Sequence, residues 1–240
     1  SHKEAGNAAP VQVTLPNGLQ PIFVVEDFGV GMSTEDIKYI YSSYGRSTKR
    51  NDFTQVGAFG LGCKSALTLA QQFSIRAIKD GVQTVAVIGR GEDGVGTVNV
   101  VSVYETNAPN GVKVSIPISN YTQFNNTVEG FFFSWPSGSV LVNGAAPVSM
   151  DSLDYFTSDS GVFRYQLYTG YDRKMTGFSV TMGGIQYKVD LSGGMYEAFR
   201  TASVYSIERV LRDNIDRMHI VAAMPIGSIS LTPSRQAIRY

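Results

Sequence analysis

The segment Glu26-Asp27-Phe28-Gly29-Val30-Gly31-Met32 follows the apolar run Pro21 to Val25 and precedes a helical pattern that begins at Ser33. The apolar run predicts a strand, so Asp27 stands at a strand end. A carboxylate fixed there can accept a hydrogen bond from an exocyclic amine, and glycines let the backbone approach a flat ring closely. The segment therefore predicts that Asp27 contacts adenine, with Gly29 and Gly31 beside it. The alternative is a surface turn in which Asp27 caps a helix and the glycines only supply positive φ.

A second glycine-rich segment, Gly57-Ala58-Phe59-Gly60-Leu61-Gly62, leads into a helical pattern from Cys63 to Gln72. Consecutive backbone N–H groups in such a turn, together with the positive end of a helix, form a cradle for an anion. The segment predicts phosphate binding, and Lys64 either contacts the phosphates or solvates the helix. It is not a Walker A loop, because Cys63 separates Gly62 from Lys64 and no strand precedes the segment. A plain tight turn is the alternative for this segment taken alone.

The remaining pattern of the first half predicts a sheet with helices on one face, which is an α+β layer. Ser33, with Asp36 three residues later, is an N-cap pairing that opens a helix through about Tyr41. Ser42 to Val56 predicts a long polar loop, and loops of that length inside compact domains are usually functional. Hairpin turns are predicted at Asp80-Gly81 and Asp93-Gly94. The predicted strands are Val11–Leu15, Phe73–Lys79, Val82–Arg90, Val95–Glu105 and Val112–Ile118.

A second domain is predicted after Tyr121, which gives domains of residues 1–120 and 121–240, with the boundary somewhere between 120 and 160. A chain of 240 residues exceeds what one small core needs. Val204 to Met218 places its apolar residues on one face of a helix, and Thr122 to Phe131 is another predicted helix. The predicted strands of this half are Ser139–Val142, Gly161–Tyr168, Gly177–Met182, Ile185–Val189, Ile220–Met224 and Ser228–Leu231.

The composition is that of an ordinary globular protein, with 43% hydrophobic residues, 17% charged residues and zero formal net charge. A net charge of zero gives no reason to expect broad binding of nucleic acids. Cys63 is the only cysteine, which excludes an internal disulfide and suits a reducing compartment. No apolar run reaches about 18 residues, so no transmembrane segment is expected. His2 and His219 lie far apart without acidic or cysteine partners nearby, so no metal site of protein side chains is expected.

The order of these features resembles that of the GHKL ATPases, which include the ninety-kilodalton heat-shock chaperones, gyrase B, MutL and the histidine kinases. The resemblance covers roughly residues 1–118. It implies a Bergerat-fold α/β sandwich, with a mixed sheet and helices on one face, followed by part of a transducer-like second domain. It also implies ATP and Mg²⁺ as ligands. Asp27 would bind the adenine amine, Met32 would pack near the base, and residues 57–62 would surround the phosphates.

Two departures from the family pattern bear on affinity and catalysis. The family's third motif is usually Gly-Thr before a strand, whereas this chain has Gly111-Val112, so one hydroxyl contact is missing. The family also carries a glutamate that activates water and an asparagine that ligates Mg²⁺, four residues apart on a helix before the first motif, and Glu4 and Asn7 are the candidates for these roles. Glu4 and Asn7 are three apart, with Gly6 between them and Pro10 close behind, and a helix cannot hold both side chains toward phosphate there. No catalytic residue is therefore predicted within the chain, and the general base is expected upstream of residue 1.

A narrower resemblance is to the RIIA-type rapid-lysis proteins of bacteriophages. It rests on the runs Ser43-Tyr44-Gly45-Arg46-Ser47-Thr48-Lys49-Arg50, Met182-Gly183-Gly184-Ile185-Gln186-Tyr187 and Leu231-Thr232-Pro233-Ser234-Arg235-Gln236. It implies a phage protein in the cytoplasm of the infected bacterium, near the membrane, with an RIIB-type companion. Ser47 and Thr48 would belong to an ATP lid. Arg235 resembles an arginine in the transducer domain of the ninety-kilodalton chaperones, which meets the γ-phosphate, and its alternative is an ordinary surface ion pair.

Three functions remain open from the sequence. The favoured one is an ATP-dependent conformational switch, in which nucleotide closes the lid, Arg235 senses the γ-phosphate and the second domain moves, with dimerisation of the intact protein. The second is a catalytically inactive nucleotide-binding scaffold for a protein partner, which Val112 and the missing general base favour. The third is a histidine kinase, which is disfavoured because no helix with a phosphoacceptor histidine precedes the domain.

Overall fold

The structure is a computed structural model that describes residues 5–42, 65–91, 96–128, 130–152, 155–157, 159, 161–167, 177–189, 218–230 and 238. The chain divides into two compact units, Ser1–Val148 and Ser149–Tyr240. The described strands form one sheet of seven strands in the first unit and one of five in the second. Within these residues, no helix has the length and apolar character needed to cross a membrane.

The first unit contains a mixed sheet. Its strands are β1 (Val11–Thr14), β2 (Ile22–Asp27), β3 (Gln72–Lys79), β4 (Val82–Arg90), β5 (Gly96–Glu105), β6 (Gly111–Pro117) and β7 (Val140–Val142). Their order across the sheet is β5-β4-β3-β6-β2-β1-β7. β7 runs parallel to β1, and the other neighbouring pairs are antiparallel. A large mixed sheet with few helices among the described residues confirms the predicted fold class.

Helices in the described part of this unit are α1 (Thr34–Tyr41), α2 (Ala66–Leu69) and α3 (Tyr121–Val128). Helix α1 begins with a reciprocal capping box. The Asp36 N–H donates to the Ser33 hydroxyl oxygen at 3.1 Å, and the Ser33 N–H donates to the Asp36 carboxylate at 3.0 Å. The predicted N-cap is thus confirmed, and it satisfies two backbone donors at the start of the helix.

Helix α2 ends earlier than the predicted helix from Cys63 to Gln72. Its last residue is Leu69, because Ala70 is extended, with φ −142° and ψ 153°. Gln72 is instead the first residue of β3 and pairs with Gly89 of β4. The ladder between the two strands overrides the local helical pattern, since pairing depends on a partner strand that the local sequence does not contain.

The turn between β3 and β4 is the predicted Asp80-Gly81 hairpin. Both residues have positive φ, which is 51° for Asp80 and 81° for Gly81. Two such residues in sequence are what a type I′ turn requires, and the twist of that turn matches the twist of the paired strands. The second predicted hairpin, at Asp93-Gly94, lies outside the described residues.

The described helices of this unit pack on one face of the sheet, where alternate strand residues form the core. Ile75 and Ala77 of β3 and Ile37 of α1 are fully buried in one cluster. Full burial of an isoleucine side chain contributes on the order of 2 kcal/mol, so these side chains stabilise the unit. The remaining buried members of the cluster are Tyr41, Ala66, Leu67, Phe73, Ala86, Ile88, Ile116 and Ile118.

Helix α3 and strand β7 belong to the first unit, whereas the sequence analysis placed everything after Tyr121 in the second domain. Phe124 of α3 contacts Phe23 of β2 edge to face, with ring centroids 4.8 Å apart. β7 completes the sheet beside β1. The chain divides between Val148 and Ser149. Local patterns could not place this division, because a parallel pair joins segments that are distant along the chain.

The second unit contains a second mixed sheet. Its strands are β8 (Phe156–Thr157), β9 (Phe163–Leu167), β10 (Gly177–Met182), β11 (Ile185–Lys188) and β12 (Met218–Ala223). They follow the order β11-β10-β12-β9-β8. β10 and β12 are parallel, and the other pairs are antiparallel. A short 3₁₀ turn at Met150–Ser152 precedes these strands.

One sequence prediction for this unit lies almost wholly outside the described residues, and another needs correction. Of the predicted helix Val204–Met218, only Met218 lies inside the described residues, and it begins β12. The predicted strand Ser228–Leu231 is not extended over its described residues. A turn occupies this position, with the Ser228 N–H donating to the Pro225 carbonyl oxygen at 3.1 Å. Pro225 and Gly227, whose φ is +87°, favour that turn over a strand.

His219 lies within β12 and is only 2% exposed. Its Nδ1 is 2.6 Å from the Tyr155 hydroxyl, and its Nε2 is 2.9 Å from the side-chain amide nitrogen of Gln186. An amide nitrogen only donates, so Nε2 accepts, and the proton of the neutral ring resides on Nδ1. Burial, and after it the charge of Lys188, lowers the pKa of His219 to about 4.

The second unit is therefore expected to lose stability as the pH falls from about 6.5 toward 4. In this range the unfolded chain takes up a proton at His219 that the folded unit excludes. The free energy of unfolding should drop by about 2 kcal/mol between pH 7.5 and pH 5. Hydrogen exchange of β10 and β12 in urea measures this drop. His219→Asn does not titrate and should remove it, whereas an unchanged pH dependence in that variant would contradict the assignment.

Candidate functional site

The Asp27 loop, defined as residues 27–31, begins at the last residue of β2. The Gly29 N–H donates to Oδ1 of Asp27 at 2.8 Å, so the loop opens with an Asx-type turn. Asn7 reaches the loop from the amino-terminal segment, and its Nδ2 donates to the carbonyl oxygen of Phe28 at 2.7 Å. The predicted position of the carboxylate at a strand end is thus observed, and its contact with a nucleotide stays a prediction.

Gly31 and Gly111 are positions where backbone meets backbone around the loop. Gly31 has a φ of +72°, and a β-carbon on it would lie 1.8 Å from the carbonyl oxygen of Ile78. A β-carbon on Gly111 would lie 2.3 Å from the carbonyl oxygen of Asp27. Neither position has room for a side chain. The close contact with the Ile78 backbone is therefore enough to require glycine at position 31. The predicted approach of Gly31 to the adenine ring stays a prediction.

The side chain of Asp27 belongs to the helix-covered face of the sheet. Asp27 pairs with Val112 of β6, and directly opposite residues of an antiparallel ladder share a face. Val112 packs against the core on the helix-covered face, as does Met32, which follows the loop. The isopropyl group of Val112 thus stands beside Asp27, where the family pattern has a threonine hydroxyl.

Helix α1 follows the loop directly and is fixed to the sheet by two polar contacts. Lys79 Nζ donates to Oδ2 of Asp36 at 2.8 Å, and the hydroxyl oxygens of Thr34 and Thr84 lie 2.7 Å apart. The hydrogen bond from Lys79, followed by the one from the Ser33 backbone, lowers the pKa of Asp36. Asp36 in turn raises the pKa of Lys79. One carboxylate therefore caps the helix and also ties it to β3.

A cleft of about 170 Å³ lies on the opposite face, at the end of the same strands. Glu26 accepts hydrogen bonds there from Arg76 at 2.6 Å and from Lys113 at 3.0 Å. Successive residues of a strand point to opposite faces, so the side chains of Glu26 and Asp27 diverge. The Glu26 side chain in the cleft thus lies on the other face of the sheet from the Asp27 side chain, although Asp27 and Phe28 also line the cleft. Ion pairs as exposed as these contribute little to stability.

Four of the predicted nucleotide contacts lie together, since Asp27, Gly29 and Gly31 form the loop and Met32 follows it. The other predicted residues lie outside the described residues. They are Gly57, Phe59, Gly60, Leu61, Gly62 and Lys64 of the glycine-rich segment, the lid residues Ser47 and Thr48, and Arg235. Glu4, which was weighed as a general base, also lies outside them.

Two contacts around the site were not predicted from the sequence. Asn7 was weighed only as a metal ligand, and its side chain is hydrogen-bonded to the Phe28 carbonyl. For Lys79, the sequence predicted only its position at the end of a strand and not its contact with Asp36. Asn7 and Phe28 are 21 residues apart in the sequence, and Asp36 and Lys79 are 43 residues apart. Local sequence patterns therefore cannot predict either contact.

Comparison with known proteins gives a family match and a structural match. Residues 5–102 match the family described as histidine kinase-, DNA gyrase B- and HSP90-like ATPase. The ATPase region of Saccharomyces cerevisiae topoisomerase II is similar in structure, with a TM-score of 0.62 at 14% sequence identity. That match covers 96% of this chain and 71% of the topoisomerase chain, and it shows a common fold. No curated protein sequence matches the chain.

Proposed function

We propose that this chain, whose residues 5–102 carry a GHKL-type ATPase domain, binds ATP and acts as a nucleotide-dependent conformational switch. In this proposal Asp27 accepts a hydrogen bond from the adenine amine, and Met32 packs near the base. The glycine-rich segment 57–62 and Lys64 hold the phosphates. The observation that carries the proposal is the carboxylate of Asp27, which is held at the end of β2 and belongs to the helix-covered face.

The chemistry of the Asp27 carboxylate favours adenine over guanine. An ionised carboxylate only accepts hydrogen bonds, and its two oxygens offer about four lone-pair sites. The Gly29 N–H donates to Oδ1, and the proposal assigns another acceptor site of the carboxylate to the base. Adenine presents an exocyclic amine where guanine presents a carbonyl oxygen. Guanine would therefore place two acceptors against each other.

Mg²⁺ is proposed to accompany the nucleotide and to neutralise phosphate charge. The described residues contain no group of three or more His, Cys, Asp or Glu that could hold a metal ion. Mg²⁺ commonly binds through substrate phosphates and one or two protein ligands while keeping several waters. In this proposal the ion is held mainly by the nucleotide phosphates and by water.

The finer parts of the proposal rest on resemblance. The runs 43–50, 182–187 and 231–236 support an RIIA-like phage protein whose second unit is transducer-like. In such a protein Ser47 and Thr48 belong to a lid and Arg235 meets the γ-phosphate. The intact protein dimerises, hydrolyses ATP and works with an RIIB-type companion in the host cytoplasm near the membrane.

A catalytically inactive nucleotide-binding scaffold is the second candidate. The observation that favours it is Val112, which stands opposite Asp27 and offers no hydroxyl to the base. A scaffold needs nucleotide only as a structural element, so one missing contact matters less to it than to an enzyme.

The binding proposal predicts that ATP and ADP with Mg²⁺ bind the chain in calorimetry, and that GTP binds at least about tenfold more weakly. Competition between ATP and GTP for a fluorescent ATP analogue checks the same ratio at low protein concentration. Equal affinity for the two nucleotides, or the absence of ATP binding, would contradict the role of Asp27.

Hydrogen exchange separates the switch from the scaffold. A switch predicts that a non-hydrolysable ATP analogue and ADP give different protection in the second unit, residues 149–240. A scaffold predicts the same protection with both nucleotides, because the γ-phosphate then makes no differential contact.

A further inference from the structure

We propose that Asn7 is a positioning residue that holds the Asp27 carboxylate in its base-binding orientation through one peptide group. The proposal deepens the proposed function and rests on it for its consequence in binding. Its geometry involves Asn7, Ala9, Phe28, Gly29 and Asp27, and it can be measured without nucleotide.

Both ends of the Asn7 amide are used. Nδ2 donates to the Phe28 carbonyl oxygen at 2.7 Å, and Oδ1 accepts from the Ala9 N–H at 2.9 Å. The donor and acceptor ends of an amide differ, so these two partners fix which end points to the loop. Asn7 is thus anchored by its own segment and reaches across to the loop.

The Phe28 carbonyl and the Gly29 N–H belong to the same peptide group. The carbonyl accepts from Asn7, and the N–H donates to Oδ1 of Asp27 at 2.8 Å. A peptide group is planar, so fixing its oxygen also fixes the direction of its N–H. Hydrogen bonds in such a chain also polarise one another. Asn7 therefore acts on the carboxylate through a rigid unit, without touching it.

This peptide group needs an external tether because a glycine follows its carbonyl. Glycine populates positive and negative φ about equally, so rotation of the group meets little steric resistance at Gly29. A rotated group would turn its N–H away from Oδ1. Asp27 would then keep its place at the end of β2 but lose the hydrogen bond from Gly29 to its Oδ1.

The test compares Asn7→Asp, Asn7→Ala and Asn17→Ala with the parent chain. Asn7→Asp keeps an acceptor for Ala9 and removes the donor to Phe28, so it isolates the tether. Asn17 is a matched control, because it is an exposed asparagine whose Oδ1 accepts from the backbone of its own turn. Calorimetry with ATP and Mg²⁺, hydrogen exchange at Gly29 without nucleotide, and urea unfolding are measured for each protein.

Both Asn7 variants should bind ATP about five- to tenfold more weakly, which is the loss of one hydrogen bond. Exchange at Gly29 should accelerate in both, while the urea midpoint stays unchanged and Asn17→Ala matches the parent. Unchanged exchange at Gly29, or a midpoint that falls in step with affinity, would overturn the positioning role. If the parent chain binds no ATP, the proposed function fails, and exchange at Gly29 still decides whether Asn7 holds the loop.

Discussion

Asp27→Asn is expected to weaken ATP binding by about a hundredfold. In the parent chain Oδ1 accepts from the Gly29 N–H, and in the proposal Oδ2 accepts from the adenine amine. An asparagine has one oxygen, so its NH₂ group must face either the Gly29 N–H or the amine, and both are donors. The variant therefore loses a charge-assisted bond and gains a donor conflict. Calorimetry with ATP and Mg²⁺ measures the loss.

Glu35→Gln is the control for this change. Glu35 is an exposed carboxylate in the first turn of α1, and the same replacement there should leave affinity within about twofold. The urea midpoint of Asp27→Asn should stay close to that of the parent, which separates lost binding from lost folding. An Asp27→Asn variant that binds ATP as tightly as Glu35→Gln would remove the basis of the proposed function.

Gly31→Ala is expected to lower the free energy of unfolding of the first unit by roughly 3–5 kcal/mol. Two causes add. Alanine is strained at a φ of +72°, and its β-carbon would lie 1.8 Å from the carbonyl oxygen of Ile78. The obstacle is backbone inside a sheet, so it cannot turn aside as a side chain could. Urea unfolding followed by the fluorescence of Trp135, the single tryptophan of the chain, measures the loss.

Three other glycines separate the two causes. Gly138→Ala tests positive φ alone, because φ is +76° and no atom lies within 4 Å of its β-carbon, and about 1 kcal/mol is expected. Gly111→Ala tests the contact alone, at 2.3 Å from the Asp27 carbonyl oxygen, and about 1–3 kcal/mol is expected. Gly130→Ala tests neither, and the change should stay within about 0.5 kcal/mol. If Gly31→Ala costs no more than Gly138→Ala, the contact with Ile78 does not constrain the loop.

The Gly31 result also bears on binding, because Gly31 closes the loop that Asp27 opens. A Gly31→Ala chain that stays folded must have moved the loop away from β3. We expect such a chain to bind ATP more weakly than its residual stability alone would predict. Gly138→Ala lies outside the loop and should bind ATP as the parent does.

The features that the sequence determined by itself are local. The capping box of Ser33 with Asp36, the Asp80-Gly81 hairpin and the end of β2 at Asp27 all involve residues within a few positions of one another. Their cause is the conformational preference of short segments, together with hydrogen bonds that such segments make to themselves. The strand bounds of the first unit were predicted nearly as well, because the alternation of apolar residues records which face is buried.

The tertiary structure alone decided the contacts between distant segments. It set the end of α2, because β3 pairs with β4 from Gln72 onward. It placed α3 and β7 in the first unit, put Val112 opposite Asp27, and brought Asn7 to Phe28. Each of these contacts joins chain segments that come together only when the sheet forms. The favourable free energy for bringing them together comes from the burial of apolar side chains throughout the unit. In the sequence, a polar residue that makes such a contact cannot be distinguished from one that does not.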